Sequence, residues 1–118
     1  RQNLYKDWSR NLPDSRVDPR IKKRLPVKFG HDKREQVGYT CDISSQGFFL
    51  ESRIVYKAGV ELNCEFTTRA GEIILIEGRV QWAKKSAMRH SYIMKSGMGI
   101  YILKFLKGEE VWLALLDL

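Results

Sequence analysis

Short segments in which apolar and polar residues alternate with period two run through most of this chain, and that pattern dictates strands with one buried face. Leu25, Val27 and Phe29 alternate, and Val37, Tyr39, Cys41 and Ile43 do so after a polar break at 31–36, which reads as a hairpin. Gly47 opens a further short strand over 47–51, and Val60, Leu62, Cys64 and Phe66 alternate again. A glycine-containing turn at 68–71 leads into a long strand over 72–84. There Ile74, Ile76, Val80 and Trp82 share one face, and Gly78 marks a bulge or a bend. A polar loop at 85–96 precedes a last strand over 98–105.

The period then changes. Glu109 and Glu110 open a helix, where acids complement the helix dipole, and Val111, Trp112, Leu115 and Leu116 supply its apolar stripe. Six or so short antiparallel strands followed by a helix predict a mainly all-β domain, a small closed barrel with a helical plug or lid. Residues 1–18 are polar and lack sustained periodicity, so they read as an arm or linker ahead of a domain at 19–118. Leu4, Tyr5, Trp8 and Leu12 nevertheless line up as one stripe of a short helix.

A length of 118 residues suits one domain, and 43% hydrophobic residues suit a globular core. No apolar stretch approaches the roughly 20 residues of a membrane span, and the first residues lack a signal-peptide core. The chain starts at Arg1 and not at Met, as expected of a piece excised from something longer. Cys41 and Cys64 fall at apolar alternating positions, where free thiols act as small buried hydrophobes, so a reducing cytoplasm is the expected location. The formal net charge is +7, and 11 of the 21 basic residues lie in 1–35 beside five acids. Such a surface attracts phosphate-bearing partners, with nucleotide, nucleic acid and anionic membrane all open on charge alone.

Two motifs narrow that choice. Arg20-Ile21-Lys22-Lys23-Arg24 places two arginines three residues apart, and Asp42-Ile43-Ser44-Ser45-Gln46-Gly47 sets an acid, a hydroxyl and a glycine at fixed offsets. Taken singly, the first reads as a solvated charge run and the second as a turn with a side-chain cap. In the hairpin, the end of the second strand lies beside the beginning of the first, which brings the two motifs to one rim.

The stretch from Arg20 through Arg24-Leu25-Pro26-Val27, followed by Cys41-Asp42-Ile43-Ser44 and Gly47-Phe48-Phe49-Leu50, resembles the PilZ domain family, which binds the bacterial second messenger cyclic di-GMP. Gly78-Arg79-Val80-Gln81-Trp82 and Gly97-Met98-Gly99-Ile100 resemble later strands of that family, so the likeness spans roughly 19–118. The resemblance implies a six-stranded antiparallel barrel with a C-terminal α-helix. It also implies cyclic di-GMP binding through Arg20, Arg24, Asp42, Ser44 and Gly47. Some relatives use a Trp at the position of Trp82, although a core role for this ring is the preferred expectation. Arg16 and Arg20 form a competing pair of arginines. The Arg20/Arg24 pair is preferred because Arg24 runs straight into the first strand, leaving Arg16 and Lys23 as auxiliary phosphate contacts.

The residue chemistry suits that ligand. Arginine supplies charge for phosphate, a plane to stack on purine and a fork for guanine O6 and N7. A carboxylate accepts from guanine N1 and N2, a serine hydroxyl serves as donor or acceptor, and Gly47 permits close backbone approach or a positive φ. The segment carrying the arginines is expected to be irregular until a ligand orders it, so binding would reorient the arm and signal to a partner protein.

An enzyme is not expected. His31 and His90 stand at no metal-ligand spacing, Ser44 and Ser45 lack a base, and no phosphate loop appears, so neither metal nor cofactor is implied. The rival readings are a PilZ-like adaptor that binds protein without nucleotide, and a small basic β-barrel for nucleic acid. The second lacks the interleaved aromatics of a stacking platform.

Overall fold

Among the described residues the alternating segments form seven strands, and a helix follows them. These are β1 (Ile21–Lys22), β2 (Pro26–Gly30), β3 (Gln36–Ile43), β4 (Gly47–Glu51), β5 (Glu61–Thr67), β6 (Ile73–Lys84), β7 (Gly97–Lys107) and α1 (Glu109–Leu116). The computed structural model describes residues 19–85 and 96–116. The arm at 1–18, with its expected helical stripe and Arg16, lies outside the described residues, as does most of the loop expected at 85–96.

Every pairing is antiparallel. The sheet runs β3-β2-β5-β6-β7-β4, and β4 pairs back onto β3, which closes a six-stranded barrel. The two-residue β1 continues the β2 side of β3, with Ile21 opposite Ile43 and Lys22 opposite Asp42. The expected hairpin is therefore present, and the segment expected to be irregular is partly paired.

The interior obeys the alternation where the strands are regular. Val27 and Phe29, Leu62, Cys64 and Phe66, and Ile74, Ile76 and Val80 all point inward and are almost fully buried. Helix α1 plugs one end. Trp112, fully buried, packs edge-on against Phe48 and Phe66 at centroid distances of 5.7 and 5.1 Å, and its Nε1–H donates to the Ser44 carbonyl at 2.9 Å. Gly108 makes the helix entry possible. Its φ of +82° favours glycine, and a Cβ there would stand 2.9 Å from the Ile73 carbonyl oxygen.

Three strands, β3, β6 and β7, depart from simple alternation. On β3, Thr40 faces Leu50 and Asp42 faces Phe49, so Cys41 is an extra residue that reverses the facing of the residues after it. The face expected to be buried is accordingly wrong at its start. Gly38 and Thr40 point inward, whereas Val37 and Tyr39 are exposed, Cys41 is half-buried, and Ile43 returns to the core beyond the bulge. On β6, Val80 faces Ile100 and Trp82 faces Gly99, with Gln81 as the extra residue. The expectation of Trp82 as a core side chain fails for that reason: the bulge turns it to the outer face. The register also shifts at Leu75/Ile76 and Glu77/Gly78, but the extra residues there are Leu106 and Leu103 of β7, so the bulge expected at Gly78 lies on the partner strand.

Candidate functional site

The bulges set up one row of residues on the outside of the barrel. Asp42 of β3 stands opposite Phe49 of β4, Phe49 opposite Gly99 of β7, and Gly99 opposite Trp82 of β6. Cross-strand partners point to the same face, so Asp42, Phe49 and Trp82 share the outer surface over about 14 Å, three inter-strand spacings. Phe49 and Trp82 stack at 5.4 Å with an interplanar angle of 23°. Glycine makes this stack possible, because a Cβ on Gly99 would come within 2.0 Å of Trp82 Nε1 and one on Gly97 within 2.2 Å of the Phe49 ring.

Arg20 closes the row at the Asp42 end. Its Nη2 pairs with Asp42 Oδ1, with the two side chains only 17% and 25% exposed. The β1–β3 pairing delivers this contact by holding Lys22 beside Asp42. Thr40 then fixes the link from β1 to β2. Its fully buried hydroxyl accepts from the Leu25 amide at 2.9 Å and donates to the Lys23 carbonyl at 2.5 Å, while the Lys23 amide donates to the Cys41 carbonyl at 3.2 Å.

Arg24, leaving that link, turns its guanidinium over the Tyr39 ring at 4.2 Å and pairs through Nη1 with Glu51 Oε1 at 3.6 Å. Glu51 also accepts from Cys41 Sγ at 3.4 Å. Both arginines therefore lie on the Asp42 side of the barrel, each against an acid and Arg24 also against an aromatic ring.

Ser44 and Gly47 play a different part. Ser44 is fully buried, and its Oγ accepts from the amides of Gln46 and Gly47, both at 3.2 Å, and donates to the Gly47 carbonyl at 3.3 Å. The Ser44 amide donates to the same carbonyl at 2.8 Å. Serine here shapes the β3–β4 turn, as the plain-turn reading of its motif expects. Gly47 begins β4 in extended backbone, and the positive-φ glycines among the described residues are Gly59, Gly71 and Gly108.

The structure thus brings Arg20, Arg24 and Asp42 together, sets Trp82 on the same face, and places Ser44 and Gly47 in the turn beneath. Lys23 contributes backbone bonds at this site. Sequence reasoning missed Phe49, Tyr39, Thr40 and Glu51. The adjacent phenylalanines at 48 and 49 were a signal, because only one of two successive strand residues can enter the core.

The cysteines differ in the same way. Burial pushes the Cys64 thiol up to about 12 against a smaller opposing effect of Arg34, so it stays protonated and unreactive. Cys41 sits half-buried at the β3 bulge. Among the described residues no helix is long and apolar enough to cross a membrane.

Comparisons with known proteins agree with this architecture. No curated protein matches the chain. Among solved structures it is similar to that of the Bacillus subtilis inhibitor of motility MotI/DgrA, with a TM-score of 0.68 and 15% identity over 83% of this chain and 47% of that one. At that identity the likeness is one of fold, and this chain spans under half the length of that protein. The family model for the PilZ domain matches residues 14–116. The chain belongs to the PilZ domain family, a family of receptor and adaptor domains.

Proposed function

We propose that the outer row binds cyclic di-GMP. The observation that carries the reading is the juxtaposition of the Arg20–Asp42 pair with the Phe49–Trp82 stack on a single face. Guanine presents the acceptor O6 next to the donors N1–H and N2–H, and an adjacent guanidinium and carboxylate complement that sequence of groups. Arg24, already lying over Tyr39, offers a second plane for stacking and a charge for phosphate. Trp82 is too far from Asp42 for one base to touch both, but within reach of the rest of a dinucleotide.

In this reading Ser44 and Gly47 act through the turn that supports Asp42. The buried Ser44 hydroxyl supports a positioning role over direct contact with ligand. Binding would exchange the internal partners of the two arginines for ligand groups and so re-set the segment 19–24, to which residues 1–18 connect. That movement would carry the signal to a partner protein in the cytoplasm.

Calorimetric titration with cyclic di-GMP tests the reading, and the expected outcome is saturable binding. No heat of binding at tens of micromolar ligand sinks it and leaves the adaptor that binds protein alone. Hydrogen exchange over 1–18 with and without ligand tests the arm: unchanged exchange under saturating ligand rules out its reorientation.

A further inference from the structure

A trough of about 600 Å³ opens between the link from β1 to β2, the β5–β6 turn and the end of α1. Its origin is local. The β2–β5 ladder stops at the pair Val27–Phe66, and the next residue on β2 is Pro26, which has no N–H with which to extend it. Leu25, Pro26 and Leu115 give the trough an aliphatic lining; Arg24, paired with Glu51, is at its edge, and Lys22, Lys23 and Arg69 stand around it. Among the described residues none of these three cations has an ion-pair partner. Three uncompensated charges around an apolar depression create a positive potential that a solvated surface would spread out.

The chemistry of the lining selects among anions. Among the described residues no aromatic ring lines the trough, in contrast to the Phe49–Trp82 and Tyr39 surfaces, so its neutral lining is aliphatic. Aliphatic side chains flanked by cations are complementary to aliphatic side chains flanked by carboxylates. We infer that the trough docks an acidic, leucine-like segment of a partner protein, with carboxylates on Lys22, Lys23 and Arg69 and an aliphatic side chain against Leu25, Pro26 and Leu115. The segment would press on residues 22–26, Arg24 among them. Arg24 is common to the trough and to the proposed nucleotide site, but the inference rests on Lys22, Lys23, Arg69 and the aliphatic lining and does not require the nucleotide reading.

The test uses a short fluorescein-labelled peptide alternating glutamate and leucine, titrated with the whole chain and followed by anisotropy. Binding is expected, with at least about tenfold weakening in Arg69→Glu and in Lys22→Glu. Denaturation curves matching the parent check that both variants fold, and Arg69→Glu should keep the parent response to cyclic di-GMP. A glutamate–serine peptide should bind markedly less tightly, because it cannot use the aliphatic lining.

Several outcomes overturn the inference: undiminished binding to Arg69→Glu, equal binding of the glutamate–serine peptide, or no binding by the parent chain. It is equally overturned if the Arg69-dependent occupant proves to be phosphatidylglycerol-containing vesicles or a second copy of the chain, read by co-sedimentation and by light scattering respectively, with the peptide inert.

Discussion

The plugged interior and the outer row are made from neighbouring residues of the same strands, yet they obey different rules. Inside, Phe66, Ile74, Ile76 and Val80 sit where strict alternation puts them, and Trp112 closes the end through two edge-on aromatic contacts and a buried hydrogen bond. Outside, Asp42 and Trp82 reach one face only because Cys41 and Gln81 interrupt the alternation. Regularity builds the core, and two local departures from it aim the side chains that make the site. The barrel should therefore tolerate damage to the row far better than damage to the plug.

The largest expected effect tests the plug. Trp112→Ala removes the largest buried side chain among the described residues and leaves the Ser44 carbonyl without its donor, and should cost about 3–5 kcal/mol in denaturant unfolding. Trp112→Phe keeps much of the packing and should cost about 1–3 kcal/mol, mainly for the unpaired carbonyl. Because that carbonyl belongs to the β3–β4 turn, the Phe variant should also weaken ligand binding, which is a link from interior to row. A Trp112→Ala variant as stable as the parent would erase the contrast between the two regions.

The converse test uses the arginines. Arg20→Ala and Arg24→Ala should each lose more than about 1.4 kcal/mol of cyclic di-GMP affinity, a factor of about ten, by calorimetry. The Arg24 side chain is 60% exposed, so its pair with Glu51 should contribute under about 1 kcal/mol to folding. A variant at Arg24 that loses stability and keeps affinity would invert the comparison. If Arg16→Ala loses more affinity than Arg20→Ala, the competing pair of arginines is the functional one.

How far each region could be read in the sequence reflects the same division. The strands from 47 to 51 and through Leu62, Cys64 and Phe66, the hairpin and the terminal helix were legible because period and residue type agree there. The meeting of the arginine segment with Asp42 was legible as well, since hairpin geometry alone requires it. The inward face of β3 and the position of Trp82 were not. A bulge adds one residue without changing composition, so Val37, Tyr39 and Trp82 keep apolar spacing while standing outside. The pairing of Arg24 with Glu51 was hidden for another reason: it depends on strand register across β3 and β4, which no local pattern specifies.

A smaller perturbation probes the row from beneath. Gly99→Ala places a methyl group where the Trp82 ring lies, and the half-exposed ring can swing outward to accommodate it. The stability cost should stay near about 1 kcal/mol, at the low end for an overpacked site. Loss of the Phe49–Trp82 stack should appear as a shift in tryptophan fluorescence, together with weaker ligand binding. Unchanged emission would mean that the stack does not depend on the glycine.

The two cysteines give the finest version of the contrast. Cys64 stands on regular β5, fully buried, with its thiol pushed up to about 12 from an ordinary 9.0, while Cys41 stands half-buried at the bulge. A raised folded value means that unfolding is favoured once the unfolded thiol ionises, so this contribution is intact below pH 9 and lost as pH rises toward 12. Between pH 9 and pH 10 the loss should be about 1 kcal/mol, and near neutrality it should vanish. Cys64→Ala should flatten that part of the stability profile, whereas Cys41→Ala should leave it in place. Iodoacetamide at pH 8 should modify Cys41 in the folded chain and reach Cys64 only in denaturant, read by mass spectrometry of the digested protein. Equal labelling of both thiols under native conditions would mean that the interior opens as readily as the bulge, and the division between a rigid plug and a yielding row would no longer hold.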